Sequence, residues 1–393
     1  MNILKKKFLT SHGGLRDVPL TIERLLFSIF SLLCFLFGAY IFMPVSTILL
    51  FRGRNLSDND KLRYHKLLQW VASFIIRHVP GVKFSFNNDI NESFEKPSVI
   101  ISNHQSHLDL MCILKLSPKI VILTNDRVWN NPFYRHIIRR AEFFPVSNGI
   151  EGNKRHILDC VSRGYSIMIF PEGTRSPHGD IQRFHLGAFT LAEELGLDIV
   201  PVFIHGAGHV MSKDDIILRR GSIYMEIGKR ITKDDDNFGS TALARCKSIR
   251  KLYLRHFDEI CKEREKASYW EPYLRYKYYY RGMRFKIKNI LTLRRYKCFS
   301  SWVDDGESYS SVMVKECVYW QFPWLYAVVH KNTEVYLLVT DFKLYKNLTG
   351  DILLPANLHI ALAKDNKSPF NADVEVTLSL VEDNDKHIKI VRL

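Results

Sequence analysis

Pro97-Ser-Val-Ile-Ile-Ser-Asn-His104-Gln-Ser-His-Leu-Asp109 is an apolar run that breaks into a polar loop. Its first half reads as a buried strand, since β-branched residues follow one another with no polar face. A helical pattern opens at Leu108 and runs through residues 108–116. Strand, loop and helix in that order are the building unit of an α/β fold. His104 and Asp109 stand five residues apart. Positions five apart on one helix diverge by about 140°. The two side chains can therefore meet only if His104 sits on the loop and Asp109 in the first turn of the helix. Asn103 and Ser106 are the candidates to cap that helix. Joined in this way, Asp109 would hold one imidazole nitrogen and fix the tautomer. The other nitrogen is left to take a proton from a hydroxyl. The spacing alone carries little weight, because His12/Asp17 and His209/Asp214 repeat it.

The neighbourhood of the dyad carries more. From 97 to about 230, short apolar runs at 99–101, 120–123, 143–146, 167–170, 199–203 and 222–227 read as strands. Helical patterns fall at 108–116, 132–140, 154–163 and 187–195. The alternation predicts an α/β domain with a mostly parallel sheet, in which active residues collect at the carboxyl ends of strands. Phe170-Pro-Glu-Gly-Thr-Arg-Ser176 leaves one such end. Pro171 stops the strand and Gly173 allows a tight turn. A surface ion pair is the plain reading of such a loop, but its place on the same sheet edge as the dyad favours a role. Arg175 is suited to clamp a phosphate with two N–H groups, and Glu172 to orient Arg175 or the acceptor hydroxyl.

Asn103-His104-x4-Asp109, Phe143-Phe-Pro-Val146, Phe170-Pro-Glu-Gly-Thr-Arg175 and Ile199-Val-Pro-Val202 follow in order. Together they resemble the blocks of the glycerolipid acyltransferase family, best known for the 1-acylglycerol-3-phosphate acyltransferases. The resemblance covers about 67–230. It implies an acyltransferase-type α/β domain with His104 and Asp109 as catalytic dyad. It implies that Glu172, Gly173, Thr174 and Arg175 form a substrate-binding loop, and that Pro201 falls in the last block. It further implies acyl-CoA or acyl carrier protein as co-substrate, no cofactor, no metal, and an N-terminal helical pair in the membrane. One stretch departs from the pattern. Where family members often carry lysines, this chain reads Leu123-Thr-Asn-Asp-Arg-Val-Trp129, so Arg127 is the one cation there to serve substrate binding. His185 likewise stands where a lysine is common. The acceptor is therefore lysophosphatidate or a variant lipid.

The chain has 393 residues and a net charge of +15, which suits an anionic surface. No zinc-finger spacing or nucleic-acid motif accompanies the charge, so membrane lipid is the expected partner and nucleic acid is not. Seven scattered cysteines, with no CxxC pair, fit a reducing compartment and exclude a disulfide framework. Residues 25–51 carry no charge, and lysines and arginines flank them on both sides. The stretch is long enough to span a bilayer, or to lie in it as a hairpin with both flanks on the cytoplasmic face. Leu67, Leu68, Trp70, Val71, Phe74, Ile75 and Ile76 then form an amphipathic pattern, read equally as core or as an interfacial helix.

Residues 262–297 hold twelve Lys/Arg against three acidic residues, with tyrosines interleaved. This basic junction fits a membrane surface. Beyond it, strands are expected at 310–315, 334–340, 357–362, 374–381 and 388–391, with a helix at 320–329. Strand, helix and strand ending at Asp341 weakly resemble the first half of a SAM-dependent methyltransferase. The run 307–349 has no glycine, so backbone cannot approach a cofactor there. The expected organisation is a membrane-associated helical segment at 1–57, an acyltransferase domain at 58–265, and a basic junction with a smaller, degenerate, Rossmann-like α/β domain at 266–393. The function expected is a membrane-bound O-acyltransferase of lipid biosynthesis, with its active site on the cytoplasmic face. The alternatives are a catalytically silent membrane scaffold and a bifunctional acyltransferase/methyltransferase.

Overall fold

The computed structural model describes residues 22–37, 57–131, 135–176, 179–211, 213, 218–266, 268–269, 309–315, 321–339, 345, 357–362, 372, 374–378 and 388–392. The chain divides into two compact units, one of them Ile22–Cys261 and the other taking in Lys262–Leu393.

The first unit begins with helices α1 (Ile22–Phe37) and α2 (Asp58–His78). Ser57 starts α2 through a reciprocal cap with Asp60. Strand β1 (Val82–Asn87) and the buried β2 (Ser98–Ser102) follow, then α3 (Leu108–Leu116) and β3 (Ile120–Thr124). Next come the short α4 (Asp126–Trp129), α5 (Arg135–Arg140), β4 (Phe144–Pro145), α6 (Gly149–Ser162) and β5 (Ser166–Ile169). The unit closes with α7 (Gly187–Leu195), β6 (Asp198–His205), the short α8 (Ala207–Val210), β7 (Gly221–Ile227) and the long α9 (Ala242–Arg264). One seven-stranded sheet runs β1-β7-β6-β2-β5-β3-β4. Strands β6, β2, β5, β3 and β4 are mutually parallel, while β7 is antiparallel to β6 and β1 is parallel to β7. The core lies on the sheet, where β2, β5 and β6 are buried along their whole length.

The expected strands and helices of this unit appear, with shifts at their ends. The strand at 143–146 shrinks to two residues, because Val146–Asn148 turns as a 3-10 helix. Gly149, at φ 65°, then opens α6 earlier than the pattern at 154–163 suggests. Strand β1 and helix α9 were not expected. The first alternates weakly at a sheet edge, and the second is rich in lysine and arginine. Of the segment expected at 1–57, α1 falls in the same unit as the sheet. Its Ser28 hydroxyl accepts from the Leu218 backbone N–H at 2.9 Å, and Arg220 lies 5.4 Å over the Phe27 ring. Residues 38–51 of the apolar stretch lie outside the described residues. Among the described residues no helix is long and apolar enough to cross a membrane.

The second unit holds β8 (Ser311–Lys315), α10 (Gln321–Val329), β9 (Glu334–Val339), β10 (Leu358–Leu362), β11 (Val374–Leu378) and β12 (Ile388–Arg392). Its five-stranded sheet is ordered β10-β9-β8-β11-β12 and is parallel except for β12. Buried Asn357 directs its amide to the carbonyls of Ala327, His330 and Thr333, which ties the end of α10 to the start of β10. Most of the basic junction, Asp341, and Cys317, Tyr319 and Trp320 lie outside the described residues.

Candidate active site

Strands β2, β5 and β6 are parallel neighbours, so their carboxyl ends share one edge of the sheet. His104 leaves β2 at that edge, and Asp109 sits in the first turn of α3. Asp109 is fully buried, and its Oδ2 lies 2.9 Å from His104 Nδ1. The same oxygen accepts from the backbone N–H groups of Gln105 at 2.6 Å and Ser106 at 2.8 Å. Two N–H donors of its own loop thus fix the position of this Asp109 oxygen. With Asp109 on Nδ1, the tautomer that carries its proton there leaves Nε2 as a base. The Phe170 ring stacks on the imidazole at 4.0 Å and 16° and limits its rotation.

The expected caps of α3 act differently. Ser106 Oγ accepts from Leu108 N, one residue before the position expected of a capping side chain. Asn103 does not cap at all. Its amide donates to Ile204 O at 2.8 Å and accepts from Ile204 N at 2.9 Å. It thereby extends the β2–β6 ladder beyond Ser102 and fixes the point where His104 departs.

Glu172 is 3% exposed, and both of its oxygens meet backbone. Oε1 accepts from His104 N at 3.0 Å and Oε2 from Gln182 N at 3.1 Å. Glu172, expected to orient Arg175 or the acceptor hydroxyl, joins the loop of His104 to the loop of Gln182 through these oxygens. Burial pushes its pKa up to about 7, with a smaller push from Asp109, and the two N–H groups and Arg250 oppose the rise. Gly173 takes φ +67°, and a Cβ there would meet the His185 ring at 3.2 Å. Ser176 N donates to His104 O at 2.7 Å, a further stitch between the two motif loops. Arg175 Nη1 donates to Lys213 O at 2.7 Å. Thr174 lies in the same turn. Thr124 is buried against Phe144 O, Asn125 caps α4, and Asp126 accepts from Ser147 Oγ. The side chain of Arg127 lies outside the described residues, as do His12, Asp17 and Asp214.

Two further residues had no clear sequence signal. The Tyr253 hydroxyl, on α9, lies 2.8 Å from Ile101 O and 3.1 Å from both N and O of Val202. Pro201, opposite Ile101 in the ladder, brings no N–H, and the tyrosine satisfies the strand end instead. Gln105 donates to Gly179 O at 2.6 Å, and Gly208 stands so close that a Cβ would meet Gln105 at 3.1 Å. The glycines of His205-Gly-Ala-Gly-His209 thus let that segment approach the dyad loop. His205 and His209 rings pack edge to face at 5.8 Å.

Away from this edge, ligand-type atoms of Glu142, His156 and Cys160 lie within 4.8 Å of one another. The Glu142 carboxylate is forked by Arg163 at 2.8 and 3.0 Å and reached by Lys61 at 2.8 Å. Two cations already neutralise it, which makes the group an ion-pair node rather than a cation site.

The Acyltransferase family model matches residues 81–205, the stretch that contains both motif loops. A 1-acyl-sn-glycerol-3-phosphate acyltransferase of Arabidopsis thaliana, LPAT1, chloroplastic, is 30% identical over 174 residues, 42% of this chain and 46% of its own. The Brassica napus protein BAT2, with the same activity name, is 28% identical over 56% of this chain and 64% of its own. This chain thus spans about half to two thirds of the length of these plant relatives. The Pseudomonas aeruginosa 1-acyl-sn-glycerol-3-phosphate acyltransferase is 24% identical over 54% of this chain and 84% of its own. The crystal structure of the acyltransferase PlsC from Thermotoga maritima superposes with a TM-score of 0.50 at 20% identity. It covers 60% of this chain and 97% of that one, a likeness of fold.

Proposed function

We propose that this chain is an O-acyltransferase of lipid biosynthesis, moving a fatty acyl group from a thioester to a hydroxyl of a glycerolipid-type acceptor. The observation that carries the reading is the His104–Asp109 pair, held by loop N–H groups at the open edge of the sheet. His104 Nε2 takes the proton of the acceptor hydroxyl. The hydroxyl oxygen attacks the thioester carbonyl, and a tetrahedral oxyanion forms. Its collapse breaks the C–S bond, and the imidazolium returns the proton to the departing thiolate. Asp109 stabilises the imidazolium and keeps Nδ1 protonated. The steps use no metal, no cofactor and no covalent acyl-enzyme.

The acceptor is lysophosphatidate or a less anionic variant, bound along the loop of Gly173, Thr174 and Arg175, with Arg127 as a further binding residue. The acidic Asp126 and neutral Asn125 favour the variant, since neither repays the desolvation of a phosphate. The donor is acyl-CoA or acyl carrier protein. The chain works on membrane lipid, on the cytoplasmic face. Support comes from α1, whose Leu26, Phe30, Leu33 and Phe37 are exposed at helical spacing while Ser28 is buried. The second unit is read as a Rossmann-like remnant without a cofactor, on its parallel strand order and its lack of glycine after β8.

The deciding assay presents purified protein with a labelled acyl thioester and a panel of lysolipids. Transfer by the intact chain and none by His104→Ala is the expected result. Transfer that survives the substitution refutes the dyad. A clear preference for lysophosphatidate refutes the variant acceptor alone.

A further inference from the structure

Two imidazoles besides that of His104 open at the motif turn 171–176. From Asn103 to Asp109 every residue is buried except His104 and His107, and His107 is exposed at the start of α3. His185 is exposed on the segment after the turn, and its ring lies against Gly173, where a Cβ would meet Cδ2 at 3.2 Å and Nε2 at 3.3 Å. The turn is stitched to both histidine-bearing segments. On one side Glu172 Oε1 accepts from His104 N, and Ser176 N donates to His104 O at 2.7 Å. On the other, His185 N donates to Pro171 O at 2.7 Å. Among the described residues neither the His107 ring nor the His185 ring has a hydrogen-bond partner. Elsewhere in this chain imidazoles find one. His78 and His156 meet carbonyls, and His256 and His359 meet carboxylates. Partial burial, Arg175 and His104 hold the pKa of His107 down to about 4, against a pull from Asp109, so this ring is neutral at pH 7.

Exposed histidines are commonly just solvated, but these two flank the one turn that faces the dyad, and the His185 ring is set against backbone rather than loose in water. A neutral imidazole has one nitrogen that donates and one that accepts, whereas lysine and arginine only donate. A hydroxyl also donates and accepts, so imidazoles on both flanks of the turn suit a headgroup that carries hydroxyls. Charge points the same way. The turn 171–176 holds one cation, Arg175, and that side chain already gives an N–H to Lys213 O. A phosphomonoester carries about −1.5 to −2 charges at pH 7, while a phosphodiester carries a single one. One arginine balances the diester and leaves the monoester short of a partner, which makes the latter costly to desolvate.

We propose that His107 and His185 bind the headgroup of the acceptor and set its specificity, and that this headgroup is a phosphodiester bearing hydroxyls rather than a phosphomonoester. The proposal rests on the acyltransferase reading for the lipid it addresses, but its test reads binding as well as transfer. The probes are short-chain lysophosphatidylglycerol and lysophosphatidate, each below its micelle concentration, titrated calorimetrically into the full-length chain. The intact protein should bind the diester saturably and more tightly than the monoester. His185→Lys exchanges an exposed imidazole for a cation, so the fold should be retained and the preference should move toward lysophosphatidate by roughly tenfold or more. His107→Phe keeps a flat ring and removes both nitrogens. It should weaken binding of the diester by about two- to tenfold, as for a lost neutral hydrogen bond. In the transfer assay the ratio of kcat/KM for the two acceptors should follow the binding ratio in His185→Lys. Failure of the intact chain to bind either probe, or tighter binding of lysophosphatidate by it, overturns the site. So does an unchanged preference in His185→Lys or an unchanged affinity in His107→Phe. Binding that follows the variants in a chain that transfers no acyl group would uphold the site and defeat the acyltransferase reading. Transfer whose acceptor preference ignores both variants does the reverse.

Discussion

His104, Asp109 and Glu172 are each held through backbone, and that sets what their substitution should do. Replacing His104 by alanine removes the base while Asp109 keeps its two loop N–H partners, so the fold should stand. Turnover is expected to fall by about 10²–10⁴-fold. Asp109→Asn places an amide where three donors converge. Its Oδ1 can take that place, but the charge that stabilises the imidazolium is lost and Nδ2 falls where the other carboxylate oxygen is buried with no hydrogen bond, so both rate and stability should drop, the latter by ~1–3 kcal/mol in a chemical denaturation series. Glu172 adds a pH dependence. Its folded pKa of about 7 lies above the ordinary glutamate value of 4.5. The folded state therefore binds this proton more tightly than the unfolded chain does. The stabilisation is complete below 4.5 and is lost as pH rises through 7. Glutamine is neutral at every pH, so the difference in unfolding free energy between wild type and Glu172→Gln isolates the effect. That difference should shrink by up to ~3 kcal/mol from pH 4.5 to 7. A flat difference would mean that Glu172 stays ionised throughout. The dyad and the loop around Gly173 were legible in the sequence, because their spacing and neighbours restrict where they can sit. The partners of Glu172 were not, because backbone N–H groups leave no mark in a sequence.

Elements decide how firmly that loop is held. Strands β2 and β6 were legible from their apolar runs, but the device that joins their ends was not. Tyr253 lies on α9, a helix whose sequence shows cations and no motif, and its contact to Ile101 spans 152 residues. The same holds for Asn103, whose amide stands in for a strand residue. Tyr253→Phe should leave the Ile101 carbonyl and the Val202 N–H short of a partner, at a cost of ~1–3 kcal/mol. Because Ile101 is three residues from His104, kcat should fall with little change in KM. Unaltered stability and rate in this variant would show that the strand ends hold without the hydroxyl. Helix α1 makes a second prediction. Exposed Phe30 and Leu33 each forgo burial worth about 2 kcal/mol unless lipid covers them. Aspartate at both positions should lower the fraction that floats with anionic vesicles by roughly tenfold or more. Flotation equal to wild type in high salt would remove α1 from the anchor. Helix α2 has a buried side and an exposed aromatic one. Tyr64, Leu68, Ala72 and Ile76 are buried, while Trp70 and Phe74 are stacked at 5.8 Å and exposed.

For the whole molecule, the patterns gave two α/β units, and the structure adds the order of their strands, which depends on pairings between distant segments. In the second unit, chain order climbs from β8 through β9 to β10 on one side and resumes with β11 on the other. Open sheets of this kind bind ligands where the order reverses, at the carboxyl ends of the strands. Here that point is the end of β8, and the chain continues Glu316-Cys-Val-Tyr-Trp320. A dinucleotide or SAM needs glycine at this turn so that backbone N–H groups can approach it. A stretch without glycine denies a ligand that approach, and the sequence puts the bulky Tyr319 and Trp320 in it. Without that turn an acid such as Asp341 offers a ribose only a single hydrogen-bonded pair, worth about 1.5–3 kcal/mol, far from the roughly 8 kcal/mol of micromolar affinity. Titration of the full-length chain with SAM in a calorimeter should accordingly give no saturable heat at micromolar concentration. Saturation there would require a cofactor site built without glycine, and would make the second unit a working transferase beside the first.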